Sequence, residues 1–366
     1  RKGIEMKKML FVFLIGGMLA VNTAYACTDF QIKTEDGSVI IGRSMEFAID
    51  LGSDVMVFPK GQKFTSDAPG GGKGLKWSNR YGFVGANSFG YDAINDGMNE
   101  AGLSIGLLWL PGTEYQEVPA RDVKKALSHL YLGNWILGNF ATVDEVKEGI
   151  KDIIVWGELI PELGIVPPLH VAIHDASGKS LVIEFVGGER KVHDNPVGVL
   201  TNAPEFEWHI TNLRNYVGLT SYDVKPVKIG NITFQATGQG SGVFGIPGDW
   251  TPPSRFVRAA AFINLADPPK DAAGGVILAQ HILNTVDIPL GVIKQDKEGV
   301  GLAEESTQWV VIKDLKNKVF YFHTYNDLSL RSIDMKKLDL KSGTGERSFP
   351  MQGSGHGISD ITDKLR

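Results

Sequence analysis

The sequence predicts an α+β fold built on antiparallel sheets, and three observations carry that expectation. Strand-like runs come in blocks separated by blocks of helical periodicity, not in the one-by-one alternation of βαβ winding. Neighbouring strands are joined by short polar turns such as Asp36-Gly37 and Ser177-Gly178, the connections of hairpins. No internal repeat or long linker divides the chain, so one domain is expected.

The first block opens on an alternating hairpin, Thr28 to Thr34 and Val39 to Met45, turning at Asp36-Gly37. A strand follows at Asp54 to Pro59, a Gly-rich surface loop at Pro69 to Gly74, and strands at Tyr81 to Ser88 and Leu103 to Leu110. Turns are expected between the last two, at Asn95-Asp96-Gly97 and Asn99 to Gly102. Helical spacing covers Ala120 to Leu137, and Thr142 caps a second helix to about Ile150. Alternating strands return at Leu169 to Asp175 and Ser180 to Val186. Helices are expected at Phe206 to Val217, Pro253 to Leu265 and Asp271 to Val286. The last strands are Gln308 to Lys313 and Lys318 to Tyr325.

The N-terminus reads differently. Met6, two lysines, the apolar run Met9 to Val21 and Ala24-Tyr25-Ala26 have the three-part layout of an export signal, too short in its apolar part to span a bilayer. The expected organisation is therefore a leader at 1–26 (upstream residues 1–5, signal peptide 6–26), one domain at 27–341, and a polar, Gly-rich, loosely packed tail at 342–366. An exported protein, periplasmic or extracellular, is expected. The net charge is −5 over 366 residues. The leader carries four basic residues against Glu5, so the remaining 340 residues stand at −8. An acidic chain without basic blocks argues against nucleic acid and anionic membranes as partners. No other segment approaches the ~20 apolar residues of a membrane helix.

Cys27 is the single cysteine, so no intramolecular disulfide forms. Cleavage after Ala26 would make it the first residue, with thiol and α-amine side by side. An α-amine titrating at roughly 7.7–8.0 is a suitable base for a thiol. Two other readings stay open from the residues alone: a lipid-attachment cysteine, and an inert buried thiol. The eight histidines do not decide, since any could pair with Cys27. His170 and His174 share a strand pattern and make poor zinc ligands, and no HExxH or paired CxxC occurs, so no metal is indicated. The stretches 70–74 and 238–242 lack phosphate-loop spacing and read as loops.

Several segments point further when taken together: Cys27-Thr28-Asp29-Phe30, Gly42-Arg43-Ser44-Met45-Glu46-Phe47, and Asp96-Gly97-Met98-Asn99-Glu100-Ala101-Gly102-Leu103. Thr201-Asn202-Ala203-Pro204, the run Trp208 to Tyr216, and Gly245 to Arg258 follow in order. In order and spacing these resemble the choloylglycine hydrolase family, the penicillin V acylases and conjugated bile salt hydrolases.

The resemblance implies a four-layer αββα sandwich with two antiparallel sheets, the N-terminal-nucleophile hydrolase fold. It implies a hydrolase of linear amides that needs no cofactor. Cys27 would be the nucleophile, its α-amine the base, and Arg43 the cation favouring the thiolate. Glu46 stands where the family usually has aspartate, which orients the cysteine and its amine; one more methylene changes the reach. Asn202 would donate to the oxyanion, joined by the backbone N–H of Trp109, and Arg255 would complete the network. Met45, Phe47 and the Trp109 indole would shape an apolar acyl pocket. The resemblance leans to penicillin V acylases, with bile salt hydrolase and acyl homoserine lactone acylase as alternatives. The segment between Asn202 and Arg255 resembles the family's assembly loop, so a homotetramer is expected. A non-enzymatic exported lipoprotein or binding module is the competing class.

Overall fold

The computed structural model describes residues 26–297, 301–353, 356–359 and 361–365. Apart from Ala26, the expected leader lies outside the described residues. Two antiparallel sheets stack face to face. The seven-stranded first sheet runs Val199–Leu200, Cys27–Lys33, Val39–Phe47, Gly301–Asp314, Val319–Thr324 and Asp327–Asp334, with Ile293–Lys297 paired to Gly301–Asp314. The eight-stranded second sheet runs Glu189–Asp194, Ser180–Val186, Leu169–Asp175, Leu103–Trp109, Ile94–Asn99, Phe83–Asn87, Asp54–Phe58 and Arg347–Pro350.

Helices Pro252–Leu265 and Ala272–Asn284 cover the first sheet, and Leu132–Asn139 and Val143–Gly149 cover the second. This is the αββα sandwich. The period-two pleat sorts the second sheet's side chains. Ile105, Ile173, Leu181, Ile183 and Phe185 face the helices with Leu132, Ile136 and Val146. Their alternates Leu108, Ala172 and Val182 face the first sheet. Burying each large apolar side chain contributes roughly 1.5–3 kcal/mol. Helix starts follow the expected chemistry: Thr142 accepts from Glu145 N–H at 3.2 Å, and Asp271 from Gly274 N–H at 2.9 Å.

Four expectations are corrected. Asn95-Asp96-Gly97 is not a turn but lies within the strand Ile94–Asn99. Gly97 is there for space: a Cβ would meet Val84 O at 2.6 Å, and its partner across the pair is Gly85. The Gly-rich stretch is the tip and return of a hairpin, Lys63–Ala68 with Gly72–Ser78, turning on positive φ at Gly70 and Gly71. Ala120 to Leu137 is not one helix. A 3-10 turn gives way to the short strand Ala126–Ser128, paired parallel with Ile154–Trp156, before the helix starts at Leu132. The segment after 342 is not loosely packed throughout, because Arg347–Pro350 closes the edge of the second sheet and Met351 is buried.

Candidate active site

Cys27 opens the first strand of the first sheet and pairs with Met45. Register places its neighbours: Asp29 opposes Arg43, and Glu46 opposes Thr307 on the next strand. The Cys27 thiol, Arg43, Glu46, Asn202 and Arg255 are all buried. The expected residues therefore do converge on one point.

The nitrogen of Cys27 is held first. It donates to Asn202 Oδ1 at 2.8 Å, and Arg255 Nη2 donates to the same oxygen at 2.7 Å. A guanidinium can only donate, so the Asn202 amide is oriented with its oxygen toward Cys27. One hydrogen of Asn202 Nδ2 goes to the Trp109 carbonyl at 2.8 Å. Arg255 also donates to Thr28 Oγ1 at 2.7 Å, to the Cys27 carbonyl, and through Nε to Trp250 O at 2.9 Å. Its role is to lock the first two residues of the strand. Cleavage after Ala26 would turn this peptide nitrogen into an α-amine in the same place.

Arg43 lies beneath the thiol, with Nη2 at 3.9 Å from Cys27 Sγ and 2.5 Å from Leu107 O. Its guanidinium stacks over Trp309 at 5.1 Å and its Nε is 3.7 Å from Asp96 Oδ2. The expected push toward thiolate is present but outweighed. Burial pushes the Cys27 thiol up, and the attraction of Arg43 offsets this only in part.

Glu46 departs from expectation in its contacts. Its backbone N–H reaches Ala26 O at 3.1 Å, while its carboxylate accepts from Thr307 Oγ1 at 2.9 Å. Burial raises the Glu46 carboxyl to about 7, with Arg255 pulling the other way. The Trp109 carbonyl accepts from Asn202 Nδ2, which ties the two expected oxyanion-hole residues together.

An apolar cavity of about 70 Å³ opens onto the thiol. Met45, Phe47 and Trp109 line it as expected, with Phe47 and Trp109 edge to face at 5.9 Å. Phe89, Leu163 and Leu169 line it too and were not anticipated. Phe89 carries a signal visible only in the structure, a φ of 56°, uncommon for a side chain of its size.

The sequence reading also missed the supports. Lys313 Nζ bonds both Asp96 oxygens at 2.9 and 2.7 Å, fixing the carboxylate beside Arg43. Asp29 meets His174 at 2.6 Å. Burial pushes the Asp29 carboxyl up, yet His174 holds it below its ordinary value. His170 Nε2 reaches Thr201 O at 2.8 Å, and His209 Nε2 reaches Asn202 O at 2.9 Å. Two histidines thus pin the backbone on either side of the Asn202 amide.

Comparison with known proteins decides the class. Residues 27–349 match the family of linear amide C–N hydrolases, choloylglycine hydrolase family. The chain belongs to this family. It is 32% identical over 319 residues to a bile salt hydrolase/transferase of Clostridium perfringens, covering 86% of this chain and 94% of that one. It is 28% identical over 349 residues to a penicillin V acylase of Pectobacterium atrosepticum, covering 89% and 85%. A crystal structure of a variant conjugated bile acid hydrolase from Clostridium perfringens superimposes with a TM-score of 0.79 at 30% identity, over 92% of this chain and all of that one. The penicillin V acylase of Agrobacterium tumefaciens gives 0.71 at 28% identity, over 88% and 91%. The enzyme therefore hydrolyses linear carbon–nitrogen amide bonds.

Proposed function

We propose that this amide hydrolase is penicillin V acylase-like and is activated when cleavage after Ala26 frees Cys27. The thiolate attacks the amide carbonyl, and the freed α-amine, held by Asn202 Oδ1, carries the thiol proton to the leaving amine. The second Asn202 Nδ2 hydrogen is aimed at the developing oxyanion, an interaction that can supply ~3–4 kcal/mol in the transition state. Water then hydrolyses the acyl-thioester.

The observation that carries the substrate reading is the cavity. Its wall beside the thiol is aromatic, formed by Trp109, Phe47 and Phe89, and suits a flat ring on a short acyl arm, such as phenoxyacetyl. Conjugated bile salts are the second reading, favoured by the 32% identity to a bile salt hydrolase/transferase. Export through the leader and a homotetramer belong to the same proposal. The tetramer is supported by the exposed hairpin Val227–Ile229 with Ile232–Phe234 and by exposed Tyr222 and Phe244.

Side-by-side kinetics test the substrate reading. We expect kcat/KM for penicillin V to exceed that for glycine-conjugated bile acid by at least about tenfold, a difference of ~1.4 kcal/mol. A higher value for the bile acid would reverse the assignment.

A further inference from the structure

The two histidines that hold the main chain around Asn202 are not equivalent. His209 Nε2 lies 2.9 Å from the Asn202 carbonyl, and its buried Nδ1 meets no partner among the described residues. A carbonyl only accepts, so the His209 proton sits on Nε2. Burial lowers this ring to about 4, which leaves it neutral.

His170 is engaged at both nitrogens. Nε2 lies 2.8 Å from the Thr201 carbonyl, and Nδ1 lies 3.1 Å from Glu184 Oε1. A neutral ring carries one N–H, so either tautomer would turn a lone pair on one of these two oxygens. Both contacts hold only when a further proton sits between Nδ1 and Oε1. Phe206 N–H also donates to Oε1 at 3.0 Å, and two donors converging on one oxygen suit a carboxylate. Burial pushes the Glu184 carboxyl up, yet His170 holds it below its ordinary value. The proton therefore belongs to the ring.

We propose that Glu184 keeps His170 as a buried imidazolium, and that this ion pair is the positioning device for the Asn202 amide. Sheet register builds it. The two residues lie beside the Val171–Ile183 pair on adjacent strands, Leu169–Asp175 and Ser180–Val186, and both are buried. The imidazolium fixes the Thr201 carbonyl, Thr201 Oγ1 donates to Pro252 O at 3.0 Å, and His209 fixes the next carbonyl. Held at these points, the main chain presents Asn202 with Oδ1 on the Cys27 nitrogen and Nδ2 beside Trp109.

The charged groups around the pair are consistent with one fixed cation. Glu184 Oε2 faces His193 Nε2 at 3.8 Å, and His193 Nδ1 lies 3.6 Å from the exposed Glu207. His209, under the influence of His170, Arg255 and Glu184, stays neutral. His170 and Glu184 are positioning residues, since neither lines the substrate cavity.

The inference rests on Asn202 as the oxyanion donor, so one readout is structural and one kinetic. Neutron diffraction from crystals of the perdeuterated mature enzyme near pH 7 should show deuterium on both nitrogens of His170 and on Nε2 alone of His209. A bare Nδ1 on His170 overturns the ion pair. Glu184→Gln has the same shape, but the one atom at the Oε1 position cannot both accept from Phe206 N–H and donate to a neutral His170. The ring then gives its proton to the glutamine oxygen and leaves Thr201 O without a donor. For penicillin V, kcat should fall about tenfold with KM unchanged. Glu184→Asp keeps the charge and should lose less. A packing role predicts the opposite order, because aspartate leaves a gap and glutamine does not. Wild-type kcat in Glu184→Gln, or a larger loss in Glu184→Asp, overturns the positioning role. Should Glu184→Gln fail to fold, the neutron map decides. If Asn202→Ala keeps wild-type kcat, the oxyanion reading fails, while the neutron map still judges the ion pair.

Discussion

The two faces of the second sheet are built from different chemistry. The face under the helices is mainly hydrocarbon: Phe58, Phe83, Ile105, Ile183 and Phe185 pack with Leu132, Ile136 and Val146. The face toward the first sheet mixes apolar residues with Asp96, His170, His174 and Glu184, and receives Asp29, Arg43 and Lys313 from the opposite sheet. Each buried ion loses several kcal/mol of hydration, which its partners must offset. The outer layer carries less of this burden, Asp175 at the start of helix Val143–Gly149 being its buried carboxylate. The difference teaches where stability is generated and where it is used: the outer layer stabilises, and the inner one places a guanidinium under a thiol.

Lys313 offers the strongest way to break this contrast. Lys313→Met takes from buried Asp96 its two-oxygen lysine partner and leaves it the more distant Arg43 guanidinium, which should cost about 3–5 kcal/mol of stability and draw Arg43 toward Asp96. Denaturant unfolding and kcat should both fall. The double variant Lys313→Met/Asp96→Leu should recover most of the stability but not the rate. Recovery of both would mean that the inner charges support only the fold.

Glu46 shows a smaller version of the same trade. Its folded-state value of about 7 lies above the ordinary carboxylate value of 4.5. The stabilising, protonated form is fully present below pH 4.5 and is lost as pH rises through 7. Glu46→Gln should therefore match wild type in thermal stability at pH 4 and exceed it by about 3 kcal/mol at pH 8, while losing activity. An advantage that does not grow with pH would contradict the burial account.

Much of the fold was legible because the pleat leaves a period-two trace, as in Leu169–Asp175 and Ser180–Val186. Turn chemistry misled at Asp96-Gly97, where glycine provides room for a neighbouring strand instead of a bend. The helical spacing of Ala120 to Leu137 was overridden by parallel pairing of Ala126–Ser128 with a strand far along the chain. Cys27, Arg43, Asn202 and Arg255 were legible through motif resemblance, and the structure brings them together. Their supports were not. Lys313 and Thr307 reach the site across sheet register, separated by 217 residues from Asp96 and 261 from Glu46, and no local pattern marks such a partner.

The central claim is that Cys27, once N-terminal, forms an acyl-thioester during amide hydrolysis. The direct measurement is intact and peptide mass of the enzyme quenched in acid during turnover of penicillin V. The account predicts a mature chain beginning at Cys27, with one phenoxyacetyl group on its first peptide, and neither adduct nor hydrolysis in Cys27→Ala. An N-terminus other than Cys27, a lipid adduct on the cysteine, or hydrolysis that survives in the alanine variant would contradict it.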